Sequence, residues 1–293
     1  MVGNSVEYAD GRARRTRVEC VSSLSSAAYS EAVAGPQLPR RRVLGLAAAG
    51  LAVTALSACD RAESFAGTTS GTLESPHAPG GRADWVFQAP GSGTPKALLV
   101  SLHGKGGRAA SSFEMGFGTL AAAAGLAIVS VSGGDGYWHA RRDGTDSGRL
   151  VLEELVPMAL KRARLGSDAR LGFIGWSMGG YGSLLLAGQL PPARVLGVAP
   201  MSTALWTSPG ASAPGAFDDA DDYRAHDVFA PARLLPGIPV SIACGTQDPF
   251  IAANRAYVAG RPATTHVFDE GRHDGDYWRA HARHLVPWLA SLA

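Results

Sequence analysis

The sequence predicts an α/β fold: an open, mostly parallel sheet with helices on both faces. Two observations carry this. From Ala83 onward, short apolar runs of strand length alternate with longer stretches of helical period. The runs are also apolar throughout instead of alternating with polar residues, as strands buried on both faces are. The composition agrees. The chain has 293 residues, 46% hydrophobic and 18% charged, enough apolar material for a sizeable core.

Taken in order, the strand signals are residues 97–102 (ALLVSL), 126–131 (LAIVSV), 171–175 (LGFIG), 194–199 (RVLGVA) and 239–244 (PVSIAC). A further one spans Thr265–Phe268. The helical stretches fall between them. Phe113–Ala124 is Ala-rich, and Arg149–Arg164 carries Leu152, Leu155, Val156 and Leu160 at helical spacing. Gly179–Gln189 follows a strand directly. Tyr277–Leu292 closes the chain with Trp278, His281, Leu285 and Trp288 on one side. The stretch Thr203–Leu235 breaks the alternation. It has Pro-Gly and Asp-Asp clusters and no period, and reads as a short insertion before the strand at 239–244.

The domain is expected to span residues 83–293, with two different segments before it. Residues 1–58 carry seven arginines and four acids, and removing them leaves 20 basic and 21 acidic residues. No basic footprint for nucleic acid remains. Arg40-Arg41-Arg42-Val43-Leu44 resembles a twin-arginine export signal, and Val43–Ala58 is an uncharged stretch too short for a membrane span. Leu56-Ser57-Ala58-Cys59 resembles the bacterial lipobox. That likeness implies lipid attachment at Cys59 and a protein held at the outer face of the cytoplasmic membrane. The residues before the arginines are polar and lack any apolar period, so a disordered or misassigned N-terminus is expected there. Residues 59–82, rich in Ser, Thr, Gly and Pro, read as a flexible tether. With Cys20 removed and Cys59 lipidated, Cys244 would stand alone as a small buried residue.

Gly175-Trp176-Ser177-Met178-Gly179 is a G-x-S-x-G motif, the nucleophile elbow of α/β-hydrolases. With Gly about an eighth of the chain and Ser about a twelfth, chance alone gives about 0.4 such pentapeptides, so the motif is weak by itself. Its place between an apolar strand and a helical run strengthens it. Upstream, His103-Gly104-Lys105-Gly106-Gly107 ends the strand at 97–102. In this fold that loop supplies one oxyanion-hole N–H and the residue after the nucleophile supplies the other, which assigns Lys105 and Met178. The loop is not a phosphate-binding loop, because Gly106 stands where Ser or Thr is required. His103 is expected to hold loop backbone and not to transfer protons.

The expected chain order is Ser, acid, His. Asp248, in the loop after the 239–244 strand, suits the acid, which orients the imidazole and stabilises its cation. A helix-capping role would explain the same residue, and Asp227 is the alternative acid. His273, in the glycine-bounded Gly271-Arg272-His273-Asp274-Gly275 after the last strand, suits the base, with His226 as the alternative. No His/Cys/Asp cluster has metal-ligand spacing, and no cofactor is expected.

Gly175-Trp176-Ser177-Met178-Gly179-Gly180-Tyr181-Gly182 and Gly271-x-His273 backed by Tyr277-Trp278 resemble bacterial esterases of the esterase D type. That group is related to the mycolyltransferases. The resemblance covers roughly two thirds of the chain, from about Leu98. It implies a Ser177–His273–Asp248 triad and ester chemistry on a small-molecule or lipid ester. It departs from the mycolyltransferase pattern in offering Asp248 where Glu is usual. Acyl transfer to a sugar or lipid hydroxyl by the same triad is a second reading, and a non-catalytic, lipid-tethered binding protein a third. The loop Gly133-Gly134-Asp135-Gly136-Tyr137-Trp138-His139 is expected to reach over the pocket, with Trp138 and His139 shaping substrate binding. A packed loop with Trp138 covering the sheet edge is the competing expectation.

Overall fold

The computed structural model describes residues 65–293 except Pro262. The arginine cluster, the apolar export segment and Cys59 lie outside the described residues. Eight strands form one sheet in the order β1-β2-β4-β3-β5-β6-β7-β8. They are β1 (Thr68–Glu74), β2 (Arg82–Gln88), β3 (Leu98–Leu102), β4 (Ala127–Val131), β5 (Leu171–Trp176), β6 (Val195–Met201), β7 (Ser241–Ala243) and β8 (Thr265–Val267). From β4 to β8 all neighbours are parallel, whereas β1 and β2 run antiparallel at one end.

The expected central strands are present, and their residues divide between two cores. Leu98, Val100, Leu102, Val129 and Phe173 face one side, and Leu99, Ile128 and Ile174 face the other. This is why the runs are apolar at every position: each side chain of such a strand needs a buried partner. Helices α1 (Ser111–Glu114), α2 (Phe117–Ala123) and α8 (Gly275–Ser291) cover the second face, through Phe113, Phe117, Leu285 and Leu289. The first face is covered by α4 (Val156–Ala163), α5 (Met178–Ala187) and α7 (Ile251–Ala259). Before α4 come α3 (Ser147–Arg149) and a π-helical stretch, Leu150–Leu155.

Three differences from the sequence reading have local causes. The expected helix over 113–124 is two helices, because Gly116 takes a left-handed conformation (φ 84°) between them. The stretch 203–235 contains α6 (Ala220–Ala225), capped by the Asp219 side chain. The tether expected over 59–82 is folded from Thr68 on, since β1 pairs with β2 along its whole length. Edge strand β1 is half-exposed and mostly Thr, Ser and Gly, with Leu73 its one large apolar residue, so it carries little of the apolar signal that marks the central strands.

Candidate active site

Parallel register brings the ends of five strands into one transverse row. Leu102 of β3 pairs with Gly175 of β5, and Trp176 with Met201 of β6. Met201 pairs with Ala243 of β7, and Ala243 with Val267 of β8. The loops leaving this row carry His103–Gly107, Ser177, Asp248 and His273. Ligands in open α/β sheets bind along such a carboxyl edge.

Ser177 sits at the turn between β5 and α5 with φ 54° and ψ −120°. A non-glycine residue in this region costs about 1–3 kcal/mol and persists only where its surroundings hold it. Here the Ser177 N–H donates to Met201 O (2.9 Å), and Ser177 O accepts from the Ala204 N–H (3.0 Å). The turn also needs Gly179, where an added Cβ would stand 1.9 Å from Leu102 O.

Asp248, His273 and Ser177 form a continuous hydrogen-bonded line. His273 Nδ1 lies 2.9 Å from Asp248 Oδ2, and His273 Nε2 lies 3.0 Å from Ser177 Oγ. Asp248 Oδ1 accepts from the Phe250 N–H at 2.8 Å. One carboxylate oxygen thus holds the turn before α7 and the other faces His273; Asp248 is not the N-cap of α7, which begins after Phe250 without a side-chain cap. Burial raises the Asp248 pKa, but the hydrogen bonds from His273 and Phe250 outweigh it and hold the carboxyl below its ordinary value. Trp278 packs edge-on against His273 on one side, and Phe250 lies tilted on another.

The alternatives have other partners. Asp227 accepts from the Phe229 N–H in its own turn, and His226 pairs with Asp222. His281, on α8, lies 3.4 Å from Asp269 in the loop after β8. Cys244 is buried with a free thiol, which burial raises in pKa.

A pocket of about 430 Å³ opens beside Ser177 and His273. Trp176, Trp278 and Met115 give it an apolar wall, with Lys105 and Glu114 among its polar residues. Trp176 and Trp278 stack with centroids 5.7 Å apart. Sequence reasoning quoted both tryptophans as motif neighbours without placing them in the pocket. The available signal was position: one precedes the serine, the other follows the histidine loop. Met178 begins α5 with its side chain buried, and the first N–H groups of a helix lack intrahelical partners.

Trp138 and His139 do not line this pocket, which corrects the expectation for the 133–139 loop. Tyr137 and Trp138 take φ of 57° and 62°, and the turn sends Trp138 inward. Its side chain is fully buried, packed on Gly133 and Gly182 and edge-on to His103. His139 is buried against Phe217 and His226. The ligand atoms of His139, Asp222 and His226 lie within 4.8 Å of one another. The two imidazoles stack at 4.2 Å and 23°, and Asp222 Oδ1 lies 2.8 Å from His226 Nδ1 and 3.6 Å from His139 Nδ1.

The sheet order, the elbow and the acid and histidine loops after β7 and β8 make this an α/β-hydrolase fold. No family model and no curated protein matches the sequence. Among solved structures, the chain is similar to the fluorophosphonate-binding serine hydrolase FphF of Staphylococcus aureus (17% identity, TM-score 0.62, 76% of this chain and 98% of that one). It is also similar to a ferulic acid esterase (19%, 0.64, 77% and 98%). A third is an S-formylglutathione hydrolase from Agrobacterium tumefaciens (16%, 0.63, 76% and 94%). At these identities the likeness is one of fold.

Proposed function

We propose that the protein is a serine hydrolase of carboxylic esters, acting through an acyl-serine intermediate. The observation that carries this is the unbroken line Asp248–His273–Ser177 at 2.9 and 3.0 Å, opening on a pocket. The fold's likeness to proteins described as esterases and serine hydrolases supports it.

In this reading Ser177 Oγ attacks the ester carbonyl carbon as its proton passes to His273 Nε2. Asp248 accepts the Nδ1–H and stabilises the imidazolium. The N–H groups of Lys105 and Met178 hold the oxyanion. The tetrahedral intermediate collapses, and the alcohol leaves with the proton from His273. Water then attacks the acyl carbon and gives its proton to His273; the bond to Ser177 Oγ breaks as His273 returns that proton to Oγ, and the acid departs. The test is treatment of the folded domain with a fluorophosphonate, followed by mass spectrometry. One adduct on Ser177, absent from Ser177→Ala, is expected. Folded protein that takes up no label refutes the reading.

We further propose export through the arginine-led signal and lipid attachment at Cys59, on the strength of Arg40–Val43 and Leu56–Cys59. Cells fed a labelled fatty acid should yield a labelled wild-type protein and an unlabelled Cys59→Ser protein. Equal labelling of the two would rule out that site.

A further inference from the structure

The loop after β3 contains a histidine that is not itself among the pocket-lining residues, yet has both ring nitrogens committed, one of them to the pocket residue Gly104. His103 is fully buried. Its Nε2 accepts from the Gly133 N–H at 3.1 Å. In a neutral ring the proton then sits on Nδ1, which lies 2.8 Å from Gly104 O. Burial lowers the pKa of His103 and so favours this neutral form. The same Gly104 carbonyl also accepts from the Gly107 N–H at 3.0 Å. A side chain at Gly107 would strike both Gly104 O and His103 Cβ, each at 2.9 Å.

The Gly104 carbonyl and the Lys105 N–H belong to one peptide unit. In a trans peptide the two point in opposite directions. Two donors pulling the carbonyl toward His103 therefore turn the Lys105 N–H the other way. Lys105 lines the pocket shared by Ser177 and His273. The adjoining Gly104 packs close to the elbow, since a Cβ there would meet Trp176 at 2.8 Å and Ser177 Cβ at 3.3 Å.

We infer that His103 is a positioning residue for the oxyanion hole: it locks the Gly104–Lys105 peptide with the N–H facing the reacting carbonyl, and Gly133 sets the tautomer that lets it do so. This rests on the hydrolase reading above. It also gives the 133–139 loop a part in the site. Trp138 packs on Gly133 and so holds the N–H that reads His103.

Two substitutions separate the ring nitrogens. In His103→Asn the amide nitrogen can stand near Nδ1 and still donate to Gly104 O. In His103→Gln the amide reaches the Nε2 position and leaves Gly104 O without its side-chain donor. Kinetics on p-nitrophenyl acetate should show kcat for Gln falling by about 10²-fold, the scale of a lost oxyanion donor, with KM within about threefold. Asn should recover roughly tenfold of that loss in kcat. Equal kcat in the two variants, or a loss confined to KM, overturns the inference. A measurement on the unaltered protein guards against misfolded variants. The ¹⁵N resonances of the His103 ring should report the Nδ1–H tautomer. An Nε2–H tautomer overturns the inference. Wild-type protein that takes no fluorophosphonate label and shows no turnover overturns the hydrolase reading, and this inference with it. Labelled wild type with unaffected variants overturns this inference alone.

Discussion

Two histidines sit on loops that leave the carboxyl edge of the same sheet, and they have opposite fates. The His273 side chain is 25% exposed, with a carboxylate on one nitrogen and a serine hydroxyl on the other. The His139 side chain is 1% exposed. Its nitrogens lie near Ala140 O at 3.0 Å and Ala216 O at 3.3 Å, with Asp222 at 3.6 Å. Both loops are Gly-rich, polar and aromatic in sequence. The difference lies in what each ring faces. A histidine can move protons only when one nitrogen is oriented by a partner and the other reaches a space that substrate can enter. His139 faces carbonyls and stacked rings, so its work is to tie the 133–147 loop to the insertion at 203–235. Arg141 reinforces that tie through Asp218 at 2.9 Å.

The comparison can be broken most decisively at the elbow. Ser177→Ala should lower kcat/KM on p-nitrophenyl esters by roughly 10⁴-fold or more while leaving the melting temperature close to wild type. Full turnover in that variant would remove the serine from the mechanism. Asp248→Asn should cost about 10³–10⁴ in kcat, because the amide favours the wrong imidazole tautomer. A loss under tenfold would mean that the acid is dispensable. The buried loop should respond in stability instead. Trp138→Ala removes a fully enclosed ring and should cost about 3–5 kcal/mol in urea unfolding. A stable variant with altered acyl-chain preference would return Trp138 to the substrate pocket.

The smallest effects concern protons and the second histidine. Burial, and then the neighbouring His226, hold the His139 pKa below its ordinary value of 6.5. Burial does the same for His103. The unfolded chain therefore binds these protons more readily than the folded one. The stability they contribute is complete above about pH 6.5 and is lost as pH falls through their lower folded values. Melting temperature should fall on acidification below about pH 6.5, and His139→Gln should flatten that dependence. An unchanged slope in His139→Gln would show that His139 carries none of it. On activity, His139→Gln should change kcat/KM by less than about threefold, against the much larger loss expected from altering His273.

Much of this was legible in the residues. The central strands announced themselves because burial on both faces demands unbroken apolar runs, and Ser177, Asp248 and His273 stand at the ends of such runs in the expected order. The edge hairpin was illegible for the converse reason. β1 is half-exposed, and its Thr, Ser and Gly look like a tether until a partner strand is present. The pocket wall escaped as well, because Trp176 and Trp278 are 102 positions apart and meet only across the fold.

The sequence by itself determined which groups could do chemistry and on which strand ends they would stand, since strand burial and elbow sterics act locally. Only the tertiary structure decided which of them meet. Parallel pairing sets strand ends side by side, so Ser177 reaches His273 across 96 positions and His273 reaches Asp248 across 25. It also decided which way a loop side chain turns. Left-handed backbone at Tyr137 and Trp138 accompanies packing of Trp138 on Gly133 in its own loop and on Gly182 of α5, and the second is a contact between distant segments that no local preference specifies.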